Sequence, residues 1–275
     1  MGIGTRLRRL ALAGLAALAC GPAQAEDLPV TGSGNPEYVL GRLAEAFNRQ
    51  QSAHRVSVPA STGTAGALRD IRTGATSLAR VGRPLKAEEQ AGGIRYLPVG
   101  RDPVAFVAGA GVSLRSLSPR QATDIFAGKL TDWRELGGKP GPIRAIGREP
   151  TDASRQAVGR AIPAFADMAW GANVKLVHLD PQLVEMLDRY PTSVGFLNRS
   201  ALGACRTAVV PLALDGVAPS AENLAAGRYP VWIEFGLIHR EDGLTPAGKA
   251  FIEFIRSPAG VRILRDHGIL PVAAP

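Results

Sequence analysis

An α/β fold is predicted for this 275-residue chain by two features. Short apolar stretches alternate with segments of helical period, and helix starts recur as a capping residue followed by proline. Leu28 to Thr31 reads as the first strand and ends in the turn Gly32-Ser33-Gly34. Asn35 is read as the cap of a helix with Pro36 at its first position, and Val39, Leu43 and Phe47 recur along it at helical spacing. Arg55 to Val58 is the next strand, followed by the loop Ser61-Thr62-Gly63-Thr64 and a helix through Leu68 and Ile71. Pro103 to Ala108 is an extended apolar segment. Ser118, Pro119 and Gln121 form a capping box, and Gly128 stops the helix they start. Asp132 or Thr131 starts a short helix around Trp133 that Gly137-Gly138 ends. Lys139-Pro140-Gly141-Pro142 is turn chemistry, and Ile143 to Ile146 is a strand leading to Arg148, Thr151, Asp152 and Ser154 at a further helix start. Asp180-Pro181, Thr245-Pro246 and Ser257-Pro258 repeat the cap-then-proline pattern, and Gly268 terminates the last helix.

Residues 1–25 read as an export signal outside the fold. Arg6, Arg8 and Arg9 supply the basic region, Leu10 to Ala19 the apolar one, and Ala23-Gln24-Ala25 a small-residue cleavage site. Cleavage after Ala25 gives a periplasmic protein. Leu18-Ala19-Cys20-Gly21 is a partial lipobox and offers lipid attachment at Cys20 as the competing route. Losing the three arginines lowers the formal charge from +8 to +5, a balance that favours anionic partners. The basic residues are scattered and not interleaved with aromatics, which argues against nucleic acid. No later segment is apolar enough to cross a membrane. Cys205 alone would remain after cleavage, so the mature chain has no intramolecular disulfide, and a buried inert thiol is expected. His54, His178, His239 and His267 show no metal-ligand spacing, so no metal and no other cofactor is expected.

The stretch DIFAGKLTDWRELGG from Asp124 to Gly138, followed by IRAIGRE from Ile143 to Glu149, resembles the phosphate-binding periplasmic proteins of ABC transporters. Lesser matches are Gly32-Ser33-Gly34, Arg83-Pro84-Leu85, Val194-Gly195-Phe196 and Ser257-Pro258-Ala259-Gly260. The resemblance implies an α/β, two-lobed type II periplasmic-binding-protein fold. Its ligand cleft lies between lobes joined by two crossing strands. The crossings fall near Arg101 to Phe106 and Tyr229 to Leu237, which makes residues 26–105 and 230–275 lobe one and residues 106–229 lobe two. The implied function is capture of a small oxyanion, inorganic phosphate first, by a monomer that delivers it to an ABC permease.

Three loops before helices have the chemistry for an anion. Ser33, Gly34 and Asn35 offer hydroxyl, amide and backbone N–H donors, and Thr62, Gly63 and Thr64 resemble the family's Ser-Gly-Thr loop. In the third, Arg148 falls on the family's site arginine, Ser154 stands where a threonine is usual, and Glu149 is expected to orient a neighbouring arginine. Arg83 completes the set. The family's third loop is altered here to Thr151-Asp152-Ala153-Ser154. Asp152 is either a helix cap or an acceptor for the O–H of hydrogen phosphate, an acceptor that Arg80-Val81-Gly82-Arg83 does not supply. The chain has no nucleophile elbow, P-loop, dinucleotide fingerprint or zincin motif, so an enzyme is not expected. The alternative to phosphate capture is a binding-fold protein that has lost phosphate and acts as a sensor, scaffold or binder of another solute.

Overall fold

The computed structural model describes residues 26–272. The expected signal peptide, its cleavage after Ala25 and the lipobox Cys20 lie outside the described residues. In chain order the strands are β1 (Glu26–Pro29), β2 (Thr31–Gly32), β3 (His54–Ser57), β4 (Ala79–Val81), β5 (Ile94–Ala108), β6 (Ser116–Leu117), β7 (Arg144–Arg148), β8 (Lys175–Val177), β9 (Ser193–Asn198), β10 (Val210–Leu214), β11 (Trp232–Arg240) and β12 (Leu270–Pro271). The helices are α1 (Glu37–Gln50), α2 (Gly63–Thr73), α3 (Pro119–Phe126), α4 (Ala153–Ala161), α5 (Pro163–Asp167), α6 (Asp180–Arg189), α7 (Ala221–Ala225), α8 (Pro246–Arg256) and α9 (Pro258–Asp266). The first expected strand is broken at Val30, whose N–H bonds Ser57 O while Arg80 reaches its carbonyl.

The main sheet runs β2-β4-β11-β5-β9-β7-β8, with β10 and β12 also paired to β5. Its two ends are parallel, β2 with β4 and β9 with β7 with β8, while β5 and β11 run antiparallel to their neighbours. β5 is the long crossing strand. Ile94 to Pro103 pair with β11, and Val104 to Ala108 pair with β9. Near that change Val104 N–H bonds Val231 O at 2.9 Å, so the second crossing lies beside the first.

The buried apolar residues fall into four clusters, and the two largest sit on either side of the crossing. One gathers Leu40, Leu43 and Phe47 of α1 with Phe235, Phe251 and Phe254. Phe47 meets Phe251 and Phe254 edge-on at 5.4 and 5.6 Å between ring centres. The other is built on Phe106, Phe126, Phe165 and Phe196, with Trp133 beneath them. Phe126 makes edge contacts with Phe165 and Phe196 at 5.3 and 5.4 Å. Burying aromatic rings of this size dominates the energetics of each half.

Local capping sets several helix starts as expected. Ser118 and Gln121 close their capping box, and Asp132 caps the short 3-10 turn Trp133–Leu136 that Gly137 ends in the left-handed region. Thr245 and Ser257 cap α8 and α9. Two expected caps are not caps. Pro36, without any side-chain bond, precedes α1, because the Asn35 amide is drawn elsewhere. Asp180 lies within the first turn of α6 after Leu179, and its carboxylate faces Arg148.

Candidate functional site

A cleft of about 670 Å³ opens between the two cores. Ser33, Gly34, Asn35, Thr62, Gly63, Thr64 and Arg83 line it from one side, and Arg148 and Asp152 from the other. Nine of the ten residues expected from the sequence therefore border one cavity. Ser154 does not. It is 1% exposed, and its hydroxyl donates to Asn198 Oδ1 at 2.9 Å while accepting from Asn35 Nδ2 at 3.1 Å. Asn198 returns a bond to Asn35 O at 3.0 Å, and Asn35 Nδ2 also reaches Asn198 Oδ1 at 3.2 Å. This closed network of three buried polar side chains joins the first loop to the start of α4 and the end of β9. Ser154 and the Asn35 amide thus hold the two halves together.

The lobe-one loops are shaped by a residue the motifs did not single out. Arg80 on β4 is fully buried and spreads its guanidinium over four acceptors. Its Nε donates to Ser33 O at 2.8 Å, Nη1 to Val30 O, and Nη2 to Pro59 O at 2.7 Å and Glu37 Oε2 at 3.0 Å. One side chain therefore fixes both loops and the first residue of α1. Gly32 has φ 127°, and a Cβ there would strike Arg80 O. At Gly82 a Cβ would lie 2.7 Å from Asn35 Oδ1 and 2.8 Å from Ser33 Oγ, so the absence of a side chain makes room for these two groups. Thr62 precedes α2 without a side-chain cap bond; its own N–H is taken by Gly32 O at 2.9 Å and that of Gly63 by Ser61 Oγ at 3.3 Å, so the helix start offers N–H groups to the cleft only from Thr64 on. Arg83 sits at the rim and forms a forked pair with Glu89 at 2.7 Å through each terminal nitrogen.

Across the cleft Arg148 is 4% exposed, not solvated. Its Nη2 meets Asp152 Oδ2 at 2.8 Å and His178 O at 3.3 Å, and its Nη1 is bonded to Asp180 Oδ1. Burial works against its charge, and Asp180 and then Asp152 more than restore it. Asp152 performs the capping role anticipated for it, since Oδ1 accepts the Arg155 N–H at 2.9 Å. Both of its oxygens are therefore engaged within the protein, one by Arg148 and one by the start of α4. Burial raises the Asp152 carboxyl above its ordinary range, Arg148 opposes this, and Asp180 adds to it. Glu149, expected beside an arginine, instead faces His178 Nδ1 at 2.6 Å, because its backbone position turns it to the lip of the cleft. Glu37 lines the same cavity. Burial raises its carboxyl, Arg80 opposes this, and the charge of Asp180 adds to it.

Sequence reasoning missed Asp180, Glu37, Arg80 and Asn198. Asp180-Pro181 carried a signal, but it read as a helix start; nothing local points from residue 180 to residue 148. Among the described residues no group of three or more His, Cys, Asp or Glu side chains is placed to hold a metal ion. No helix among them is long and apolar enough to cross a membrane. Cys205 is half-buried, and burial, with Asp188 nearby, pushes its thiol up to about 11, which keeps it protonated at neutral pH.

The sequence profile of the PBP superfamily domain matches residues 19–259. The phosphate-binding protein PstS of Bacillus subtilis is 26% identical over 252 residues, covering 90% of this chain and 81% of that protein. PstS of Borreliella burgdorferi is 17% identical over 88% of this chain and 89% of its own length. A Clostridium perfringens protein classed as a phosphate ABC-transporter substrate-binding protein, solved with bound phosphate, superposes with a TM-score of 0.76. It is 24% identical and covers 90% of this chain and all of its own. An ABC-type phosphate transport receptor from Vibrio cholerae superposes with a TM-score of 0.63 at 20% identity over 88% of this chain and 99% of its own. These likenesses agree with the two cores, the crossing strands and the cleft between them: the chain has the type II periplasmic-binding fold and belongs to the PBP superfamily.

Proposed function

We propose that this chain is an exported solute-binding protein, not an enzyme. It captures a small phosphate-type oxyanion in the cleft and hands it to an ABC permease as a monomer. Residues 26–105 and 230–275 form lobe one and residues 106–229 lobe two, a division the two largest cores support except for Val104, Val231 and Ile233, which pack into the second core from the crossing strands. The observation that carries the reading is the meeting of the α2 start at Thr64 with the buried Arg148 from the other half across one cleft. Among the described residues Arg148 Nε is buried without a hydrogen-bond partner. Helix N-termini and guanidinium groups are the usual anion receptors. Ser33, Gly34, Asn35 and Arg83 border the same space, and Asp152 fixes Arg148. The relatives named above, described as phosphate-binding proteins, make inorganic phosphate the first candidate.

A melting series with phosphate, sulfate, molybdate and phosphonates at millimolar concentration tests this. A ligand at a hundredfold excess over Kd raises stability by about 2.7 kcal/mol, several degrees in Tm. A midpoint unmoved by every oxyanion would remove the transport reading. One observation favours the second reading, a binding fold serving another solute or a sensor: Asp152 and Asp180 already match the charge of Arg148.

A further inference from the structure

The network that joins the two halves continues into the crossing strands. Asp102 lies on β5 two residues before Val104, where that strand changes partner from β11 to β9. It is fully buried. Its Oδ1 accepts the Ser200 N–H at 3.2 Å, its Oδ2 is bonded to the Ser200 hydroxyl, and the Asn198 side chain donates to it as well. Asn198 and Ser200 are buried with it. Asn198 Nδ2, the only donor that side chain has, also reaches Asn35 O at 3.0 Å. Its Oδ1 meanwhile accepts from Ser154 Oγ at 2.9 Å and Asn35 Nδ2 at 3.2 Å. Asn35 stands on one half, Ser154 and Asn198 on the other, so opening about the crossing strands acts directly on these bonds. A path of buried hydrogen bonds therefore runs from a carboxyl at the crossing to two segments that border the cleft, Ser33 to Asn35 and the start of α4.

We infer that Asp102 is a positioning residue for the cleft, whose charge state couples closure of the two halves on an oxyanion to pH without touching the ligand. The inference rests on the oxyanion-binding reading above and adds a regulation to it. An ionised Asp102 accepts from Ser200 and Asn198 at once, and a bond to a charged acceptor is stronger than one to a neutral acid. It fixes the Asn198 amide with Nδ2 inward, which leaves Oδ1 for Asn35 and Ser154. A protonated Asp102 has one acceptor fewer and loosens that hold. Closure brings Asn35 to Asn198 and locks the amide in the orientation that serves the carboxylate. The closed state therefore favours the ionised form, closure releases a proton, and affinity rises with pH. Burial raises this carboxyl to about 7, against the bonds from Ser200 and Asn198 and the charge of Arg199, so the change falls around neutral pH. The other charges on elements packed against this part of β5 are engaged elsewhere or exposed. Arg101 pairs with Glu234 of β11 at 3.2 Å, Arg155 of α4 donates to Arg148 O at 2.8 Å, and Glu222 of α7 is exposed. β9, β10 and β12 carry no charged residue.

Calorimetric titration of the mature chain with inorganic phosphate, from about pH 5.5 to about pH 8.5, compares wild type with Asp102→Asn, whose neutral amide stands in for the protonated acid. Phosphate's own ionisation is met alike by both proteins and cancels in the ratio of their dissociation constants. That ratio is expected to be close to unity at the acid end and to favour wild type by about fivefold at the alkaline end, the scale of exchanging a charged hydrogen bond for a neutral one. A merely structural role would change Tm, or weaken binding by the same factor at every pH. Ser200→Ala removes one donor to the carboxylate, so its pH profile of affinity is expected to shift to higher pH than that of wild type. It decides the matter should Asp102→Asn unfold. A ratio that does not change with pH, or a Ser200→Ala profile that superimposes on that of wild type, would overturn the inference and leave the oxyanion reading standing. Wild type that binds phosphate at no pH would remove the phosphate reading itself, and the inference with it.

Discussion

Replacing Arg148 with methionine keeps much of its apolar stem and removes the charge at the centre of the cleft wall. The wild-type guanidinium is 4% exposed and is bonded to Asp152, Asp180 and the carbonyl of His178. Without it two carboxylates, 9% and 8% exposed, remain buried beside one another. Removing one partner of a buried ion pair costs about 3–5 kcal/mol, because the other charge is left uncompensated. The cost is not doubled by the second carboxylate, since either can escape by taking a proton. A domain of this size loses about 2–4 °C per kcal/mol, so the expected fall in Tm at pH 7 is about 6–20 °C. The deficit should shrink at pH 5, where the stranded carboxylates protonate more readily. The triple variant Arg148→Met, Asp152→Asn, Asp180→Asn should recover much of the loss, because no buried charge then lacks a partner. Circular-dichroism melts of the three proteins at both pH values measure this. A single variant that melts within about 2 °C of wild type at pH 7 would show that Arg148 is effectively solvated, contrary to its burial.

Two more outcomes follow from the same kind of accounting. Asp152→Asn should keep the α4 cap, since Asn and Asp cap about equally well, while Asp152→Ala should lose about 1 kcal/mol more. Urea melts that rank the two variants equal would mean that Asp152 acts only through Arg148. Asp102 on β5 is fully buried, and burial raises its carboxyl from 3.8 to about 7, against bonds from the Ser200 N–H at 3.2 Å and the Ser200 hydroxyl. Between about pH 4 and pH 7 the folded state holds a proton that the unfolded chain has released, so stability falls as pH rises through that window and levels off above it. Glu37 and Asp152, also raised, act in the same direction. Asp102→Asn should remove the Asp102 part and gain stability relative to wild type at pH 8; identical urea midpoints for the two proteins at pH 5 and pH 8 would contradict the burial of a titrating carboxyl.

The sequence by itself determined the elements whose causes lie within a few residues. Ser118 with Gln121, Asp132 with Arg134, Asp152 with Arg155, and Ser257 with Gly260 each close a bond over two or three positions, so their helix starts could be read directly. The alternation of apolar strands and helices likewise pointed to the α/β class, and the long text around Trp133 and Arg148 carried the two-lobed fold. Asn35 and Asp180 read locally as caps of the same kind, yet neither caps. Asn35 bonds Ser154, 119 residues away, and Asp180 bonds Arg148, 32 residues away. Those partners meet only when the crossing strands bring the two halves together, and a buried side chain then takes the partner that leaves fewest polar groups unsatisfied. For the same reason Ser154 left the cleft, Arg80 came to brace two loops, and two carboxylates gathered round the Arg148 guanidinium. Local pattern set where the helices begin; tertiary burial decided which charges face the cleft, because only packing determines which polar atoms lose water and must find one another.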